Sequence, residues 1–347
     1  MSGAAETRGS RFEALLNRWW LAAAIAAVVA VALLAPRGAG TILRWHVIDG
    51  GVVVVMFLGS LKLDAAQFRE AARQVRLVAL SLVSVFTLAP LAALGLAWAF
   101  GLDGDGDRIA VLICAAQAST LATAIVLTEV AGGDVALAIL ITVVNNVATV
   151  AVTPLIFFVL GDTRVEVDHL AMAGEMALKI LAPVLLAQLC RHWLAGFARR
   201  NGRRLSVFSQ LVILIYIYTG VASSAERLAD AGSLLVRVLA LAAALHLLLL
   251  LANALIARSV TPSVGARTAF VLCSSQKTLP AAILVWKSHF PQLAAGPLVA
   301  VAYHMLQLVA DSILAPGFRR LPLIRGRSVR DDEPPPGAGP HHRGGAR

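Results

Sequence analysis

Charge is scarce in this 347-residue chain: Asp, Glu, Lys and Arg supply 14% of it, while apolar residues supply 59%. Soluble domains carry about a quarter charged residues, so the balance excludes an ordinary soluble protein and points to an integral membrane protein whose surroundings are the lipid bilayer. Cysteine is scarcer still. Cys114, Cys190 and Cys273 lie in apolar segments at spacings that give neither a zinc site nor a disulfide framework. Lysine occurs only four times, against many arginines, so a lysine that interrupts an apolar run is a specific choice of side chain. Motifs for phosphate-binding loops are absent. The basic residues sit in short segments between apolar spans with no interleaved aromatic platform, which excludes nucleic acid as a partner despite the net charge of +10. No short apolar stretch with a small-residue cleavage site opens the chain; the first apolar run, from near Trp19, reads as a retained helix.

What is abundant is apolar sequence in windows of roughly twenty residues, the length that crosses a hydrocarbon core. These fall at 19–35, 46–63, 77–101, 109–130, 134–160, 170–194, 207–225, 233–257, 267–288 and 293–315. The spacing predicts an all-α polytopic membrane protein of ten transmembrane helices. Short cytoplasmic loops collect Lys and Arg. With the N-terminus inside, the clusters Arg8 to Arg18, Lys62 to Arg76, Arg191 to Arg204, Arg258 to Arg267 and Arg319 to Arg330 all fall on the cytoplasmic side, while LDGDGD and GDTRVEVD on the outside are acidic. Both termini are therefore expected in the cytoplasm of a plasma membrane, the bacterial inner membrane. The chain divides into a cytoplasmic segment 1–18, a five-helix half 19–160, a second half 170–316, and a basic, Pro/Gly-rich cytoplasmic tail 317–347 expected to be disordered.

The two halves resemble one another. CAAQASTLATAIVL (Cys114 to Leu127) aligns with CSSQKTLPAAILV (Cys273 to Val285) once one residue is skipped, pairing Gln117 with Gln276 and Ser119 with Thr278. VVNNVATVAVTPL corresponds loosely to VAYHMLQLVADSILAP. A five-helix unit re-enters the membrane from the opposite side on its second pass, which makes this an inverted-topology repeat, a feature of secondary transporters. Matching helices in such repeats are often broken near the midplane, where freed backbone groups bind ligands. Pro280, which lacks an N–H, is a physical reason for a break after SSQKT.

These residues carry a resemblance to a known family. MFLGSLKLD, STLATAIVLTEVAGGDVALAI, CSSQKT and YHMLQLVADSILAP, over roughly residues 15–320, resemble the bile acid:sodium symporter superfamily, in particular the branch around solute carrier 10 member 7 and its bacterial relatives. The resemblance implies ten helices in two inverted five-helix repeats, like the sodium/proton antiporters: a panel of the first, second, sixth and seventh helices, and a core where the broken fourth and ninth cross. It also implies nominal sodium coupling. The chain departs from the classical pattern at the ion sites. The Glu expected four positions before Gln276 is Leu272, a Ser-Asn pair falls on Ala124 and Ile125, and of the hydroxyls of the fifth helix only Thr142 remains. A hard cation wants an oxygen cage with some negative charge, and most of that cage is missing.

The candidate substrate- and ion-binding residues are Gln117, Ser119, Thr120, Thr123, Thr142, Asn145, Asn146, Ser274, Ser275, Gln276, Lys277 and Thr278. Lys277 is the sharpest. An ammonium within an apolar helix is costly and calls for a partner or a function, and lysine, unlike arginine, gives up its proton when buried. It is expected at the crossing as a fixed or titrating positive charge facing an anionic solute or a carboxylate; snorkelling into a polar cavity is the structural alternative. Asn145 and Asn146 point to different faces of their helix, so at least one meets the core, as ligand or as interhelical bond. His304 is a proton relay or a satisfied buried side chain. Glu175 and Lys179, four apart, read as an ordinary helix pair.

The function expected is secondary active transport of a small organic, anionic solute, with Na+ or H+ as coupling ion and no other cofactor, by a monomer or homodimer. Proton-coupled or uncoupled transport through Lys277, and a non-transporting regulator of ion homeostasis, are the alternatives. An intramembrane enzyme is not expected, because no nucleophile–base pair or paired catalytic aspartates occur.

Overall fold

The computed structural model describes residues 20, 23–61, 74–102, 104–161, 167–230, 232–293 and 296–325. The expected N-terminal segment 1–18 and the tail beyond 325 lie outside them. Among the described residues every regular element is helical: α1 (Ala23–Leu34), α2 (Gly38–Arg44), α3 (Val47–Leu61), α4 (Val75–Ala99), α5 (Asp105–Ala115), α6 (Thr123–Val130), α7 (Val135–Leu160), α8 (His169–Ser223), α9 (Ala225–Asp230), α10 (Gly232–Val260), α11 (Val264–Ser275), α12 (Leu279–His289), α13 (Leu298–Leu314) and α14 (Pro322–Arg325). Six stretches are long and apolar enough to cross a membrane, α11 with α12 counted as one. The broken α1–α2 pair, bent by 101°, makes a seventh if it forms one span.

The sixth and seventh expected spans are one run of helical hydrogen bonding, α8, but its contacts show two arms. Lys179 Nζ donates to Asp49 at 2.6 Å, and Tyr216 Oη donates to the backbone carbonyl of the adjacent Ile48 at 3.1 Å. On a straight helix those two residues of α8 would stand roughly 55 Å apart at 1.5 Å per residue. The chain therefore doubles back between them. Gln188 meets the carbonyl of Ser60 at the far end of α3, where Leu61, Leu194, Ala198 and Leu205 cluster. The polar RRNGRR stretch, residues 199–204, lies in the middle of the reversal, and α3 packs between the two arms.

Two π turns interrupt the long helices, and a following proline marks each. In α4 the N–H of Ala89 reaches back five residues to Ser84 O. The same register would pair Val85 O with residue 90, which is proline and has no N–H. The Val85 carbonyl is thereby freed from the helix. Pro183 stands in the same relation to the π turn Ala177–Leu181.

Two expectations about charge and order change. Glu175 and Lys179 are not an isolated pair. Asp49 accepts from Lys179 and Lys287, and Glu175 accepts from Lys179, Ser288 and His289. This network ties α3 and α8 to the C-terminal end of α12. Residues 317–325, assigned by composition to a disordered tail, are helical instead. Phe318 and Ile324 are buried, and the Arg267 guanidinium donates to the Ile324 carbonyl at 3.0 Å.

Candidate functional site

Two helical passages are broken, and the breaks touch. Residues 116–122 separate α5 from α6, and Gln276, Lys277 and Thr278 separate α11 from α12. The Thr278 N–H donates to the Ala118 carbonyl at 2.9 Å, so the two interrupted backbones bond directly. A break exposes the last carbonyls of one half-helix and the first N–H groups of the next, and inside a membrane these need partners. Side chains supply most of them. Thr153 donates to Ala116 O at 2.6 Å, Asn146 to Ser119 O at 2.9 Å, Tyr303 to Ser275 O at 2.6 Å and Gln307 to Lys277 O at 2.8 Å. Thr120 Oγ accepts from the Ala124 N–H at the start of α6.

Lys277 is 2% exposed, and its ammonium forms no ion pair with a carboxylate among the described residues. It donates to Val85 O at 2.7 Å and to Gln117 O at 3.0 Å. One acceptor is the carbonyl freed by the π turn before Pro90 and the other belongs to the break opposite. The lysine therefore bridges α4 and both breaks from behind the crossing. Beside it Gln276 accepts from Thr120 at 2.5 Å and donates to Asp311 at 2.7 Å. Asp311 in turn meets His246 Nε2 at 2.9 Å.

In front of the crossing lies a cavity of about 270 Å³ between the second arm of α8, α1 and α3 on one side and α6, α12 and α13 on the other. Thr120, Thr123, Thr278 and His304 line it, together with Ser209, Gln210, Ser312 and apolar side chains such as Met56, Ile213 and Leu308. Among the described residues, no Asp, Glu, Lys or Arg lines this cavity. Hydrogen bonding assigns the tautomer of His304. Gln307 Oε1 accepts from the Lys277 N–H, so its Nε2 is the end that donates to His304 Nδ1, 2.9 Å away. In the neutral ring the proton then sits on Nε2, which is buried and has no hydrogen-bond partner among the described residues.

The twelve expected ligands thus divide. Thr120, Thr123 and Thr278, with His304, reach the cavity; the other nine do not. Ser274 and Asn145 both bond to Ser81, and Ser275 to Asn253, on the far side of the crossing. Thr142 donates back to its own helix at Ala138 and Ile139. Within these twelve, four buried oxygens have no hydrogen-bond partner among the described residues: Gln117 Oε1, Ser119 Oγ, Asn145 Oδ1 and Asn146 Oδ1. Sequence reasoning missed His246, Gln307, Tyr303 and the Val85 carbonyl. His246 was visible in principle, as a polar side chain within the apolar run LAAALHLLLLLA; the freed carbonyl carries no side-chain signal.

Comparison with known proteins agrees with the motif resemblance. A family model described as the SBF-like CPA transporter family matches residues 19–320. The uncharacterized protein PA2026 of Pseudomonas aeruginosa is 26% identical over 308 residues, covering 86% of this chain and 92% of that protein. Sodium/bile acid cotransporter 7 of Xenopus tropicalis is 24% identical over 332 residues, 91% of this chain and 96% of the relative. The uncharacterized sodium-dependent transporter YocS of Bacillus subtilis is 24% identical over 188 residues, 54% of this chain and 58% of its own length. With the model spanning both broken passages and every helix between them, the chain belongs to the SBF-like CPA transporter family.

Proposed function

We propose that this protein is a secondary transporter of an organic, anionic solute, working by alternating access. The observation that carries the reading is the meeting of both helix breaks at one cavity of organic-solute size. The N-terminus of α12 has no side-chain cap, and Thr278 and Pro280 present it to the cavity. A helix N-terminus favours negative charge. His304 adds an unpartnered donor on the same wall. The cavity walls carry apolar and hydroxyl groups in a mixture that suits a carboxylate on a hydrophobic body. In this reading the helices cross the membrane ten times as two inverted five-helix repeats, with the basic clusters in the cytoplasm of a bacterial inner membrane. The cavity then opens toward the cytoplasm, and the Asp49–Lys179–Glu175–Lys287 network closes the outer end.

Sodium is the coupling ion suggested by the relatives' names, and the donor-free oxygens of Gln117, Ser119 and Asn146 are the place for it. Lys277 favours a second reading. Its ammonium already occupies two carbonyl oxygens of the kind a hard cation would use, and Leu272 stands where the classical pattern has a Glu. The chain would then couple to protons or run uncoupled.

Uptake of labelled carboxylates, a bile acid among them, into proteoliposomes under imposed sodium or proton gradients tests both readings. Accumulation driven by sodium supports the first, and accumulation driven only by protons, or equilibration without accumulation, the second. No uptake above protein-free vesicles with any solute or gradient would overturn transport.

A further inference from the structure

Behind the crossing, away from the cavity, His246 on α10 and Asp311 and Tyr303 on α13 form a buried cluster that the solute site does not use. His246 is 2% exposed, and Asp311 and Tyr303 are fully buried. Hydrogen-bond accounting determines how many protons the cluster holds. A backbone carbonyl can only accept, so Tyr303 Oη commits its single proton to Ser275 O, 2.6 Å away. The same Oη lies 3.2 Å from His246 Nδ1 and can only accept from it, which makes Nδ1 the donor. His246 Nε2 lies 2.9 Å from Asp311 Oδ1. With Nδ1 protonated, that second contact needs one more proton: either an imidazolium faces a carboxylate, or a neutral ring accepts from a carboxylic acid. Without it, a ring lone pair would face a carboxylate oxygen at hydrogen-bond distance.

The other ionisable groups facing the pair are few. Tyr303 and Cys114 lie on its α13 and α5 sides, and Cys273 and Lys277 on the broken passage. His304, on α13, faces the cavity instead. The remaining charged residues of the packed helices, Arg108, Arg258, Arg267 and Lys287 among them, sit near helix ends.

We propose that His246 and Asp311 bind one exchangeable proton as a unit, and that this is the coupling proton of the transport cycle. The second clause rests on the transporter reading; the first does not. With the proton the pair is neutral. Without it the pair is a buried anion, a costly species within a membrane. Asp311 Oδ2 accepts from Gln276, and Gln276 accepts from Thr120 at the cavity wall. A change in the charge of the pair therefore reaches both helix breaks through two hydrogen bonds. Both ring nitrogens of His246 are hydrogen-bonded in this way, so its protonation is set by Tyr303 and Asp311 together.

The test uses the full chain in detergent and in proteoliposomes. Asp311→Asn preserves every bond, because the amide N–H donates to His246 Nε2 and the amide oxygen accepts from Gln276, but it removes the titrating carboxyl. Infrared difference spectra across a pH titration should show one buried carboxyl–imidazole step in the wild type that Asp311→Asn lacks, at an unchanged unfolding temperature. Nitrogen NMR of His246 in the wild type gives a readout that depends on no variant. At neutral pH Nδ1 should carry a proton, and a ring protonated on Nε2 alone would overturn the proposal, as would an unaltered titration in Asp311→Asn. In flux measurements, Asp311→Asn should lose proton-driven accumulation and keep downhill exchange of the same solute; accumulation driven as in the wild type overturns the coupling role. A titrating pair in a protein that moves no solute would uphold the proton site and sink the transporter reading alone.

Discussion

The two sides of the helix crossing use polar residues in opposite ways. Behind it, Lys277, Gln276, Asp311, His246 and Gln307 form a closed set in which nearly every donor has an acceptor, and the ionisable side chains of Lys277 and Asp311 are buried here. In front, the cavity has hydroxyls, one imidazole N–H without a partner and no charged wall residue. The difference teaches that the ionisable side chains at the crossing bond interrupted helices to one another, while the cavity wall is built from hydroxyl, imidazole and apolar groups. Lys277 holds the interrupted backbones together where they are buried, and the one imidazole N–H without a partner belongs to a residue of the cavity wall.

The sharpest way to break this contrast is Lys277→Met. It leaves the Val85 and Gln117 carbonyls without a donor, each worth about 1–3 kcal/mol when buried. Solute flux should fall at least about tenfold, equivalent to about 1.4 kcal/mol, with a lower unfolding temperature. Uptake assays and thermal unfolding check both, and normal flux in the variant would remove Lys277 from any role beyond packing. On the cavity side, His304→Ala removes one donor from a wall that is otherwise intact. A hydrogen bond to a charged ligand contributes about 1.5–3 kcal/mol, so solute affinity should weaken roughly ten- to a hundredfold, while stability should fall less than in Lys277→Met because Gln307 keeps the Lys277 carbonyl as acceptor. Equal losses of stability in the two variants would erase the distinction between the two sides.

A smaller effect is expected where the cavity-bearing wall joins the crossing. A Cβ on Gly220 would stand 2.6 Å from Val301 and 3.4 Å from Pro297. Gly220→Ala should therefore cost about 1–3 kcal/mol through overpacking, whereas Gly174→Ala, with nothing within 4 Å, should stabilise its helix by about 0.5–1 kcal/mol. Paired thermal unfolding curves test the sign of each. A comparably small effect is expected for Asp49→Asn in the first turn of α3. Its partners Lys179 and Lys287 are partly solvated, so screening limits the loss to about 1 kcal/mol. The loss should shrink further in high salt.

Much of the site was legible because membrane sequence is quiet. Against a background of Ala, Leu and Val, the runs QAST and SSQKT stand out, and Pro280 indicates where the second run must break. The structure places both runs at one backbone contact. The bonds within this arrangement were less legible. Asn145 and Asn146 were expected to point to different faces, since adjacent residues on a helix lie about 100° apart, but the partners themselves, Ser81 for one and the Ser119 carbonyl for the other, were not legible. The direction of Lys277 also escaped sequence reasoning, because its acceptors are main-chain oxygens contributed by α4 and by the opposite break. Gln307 serves the break across a turn of α13, and no local pattern couples residue 307 to residue 277.

By itself, the sequence determined the environment and the building units: apolar windows of membrane length, two similar halves, and polar residues inserted where a helix would otherwise run on. Each follows from local chemistry, since hydropathy, helix propensity and the absence of an N–H in proline act within a few residues. Only the tertiary structure decided which groups meet: that α8 folds back around α3, that Lys277 turns away from the cavity, and that His246 lies against Asp311. Those outcomes depend on hydrogen bonds between residues 65 to 192 positions apart, and a buried donor takes whichever acceptor packing brings within about 3 Å.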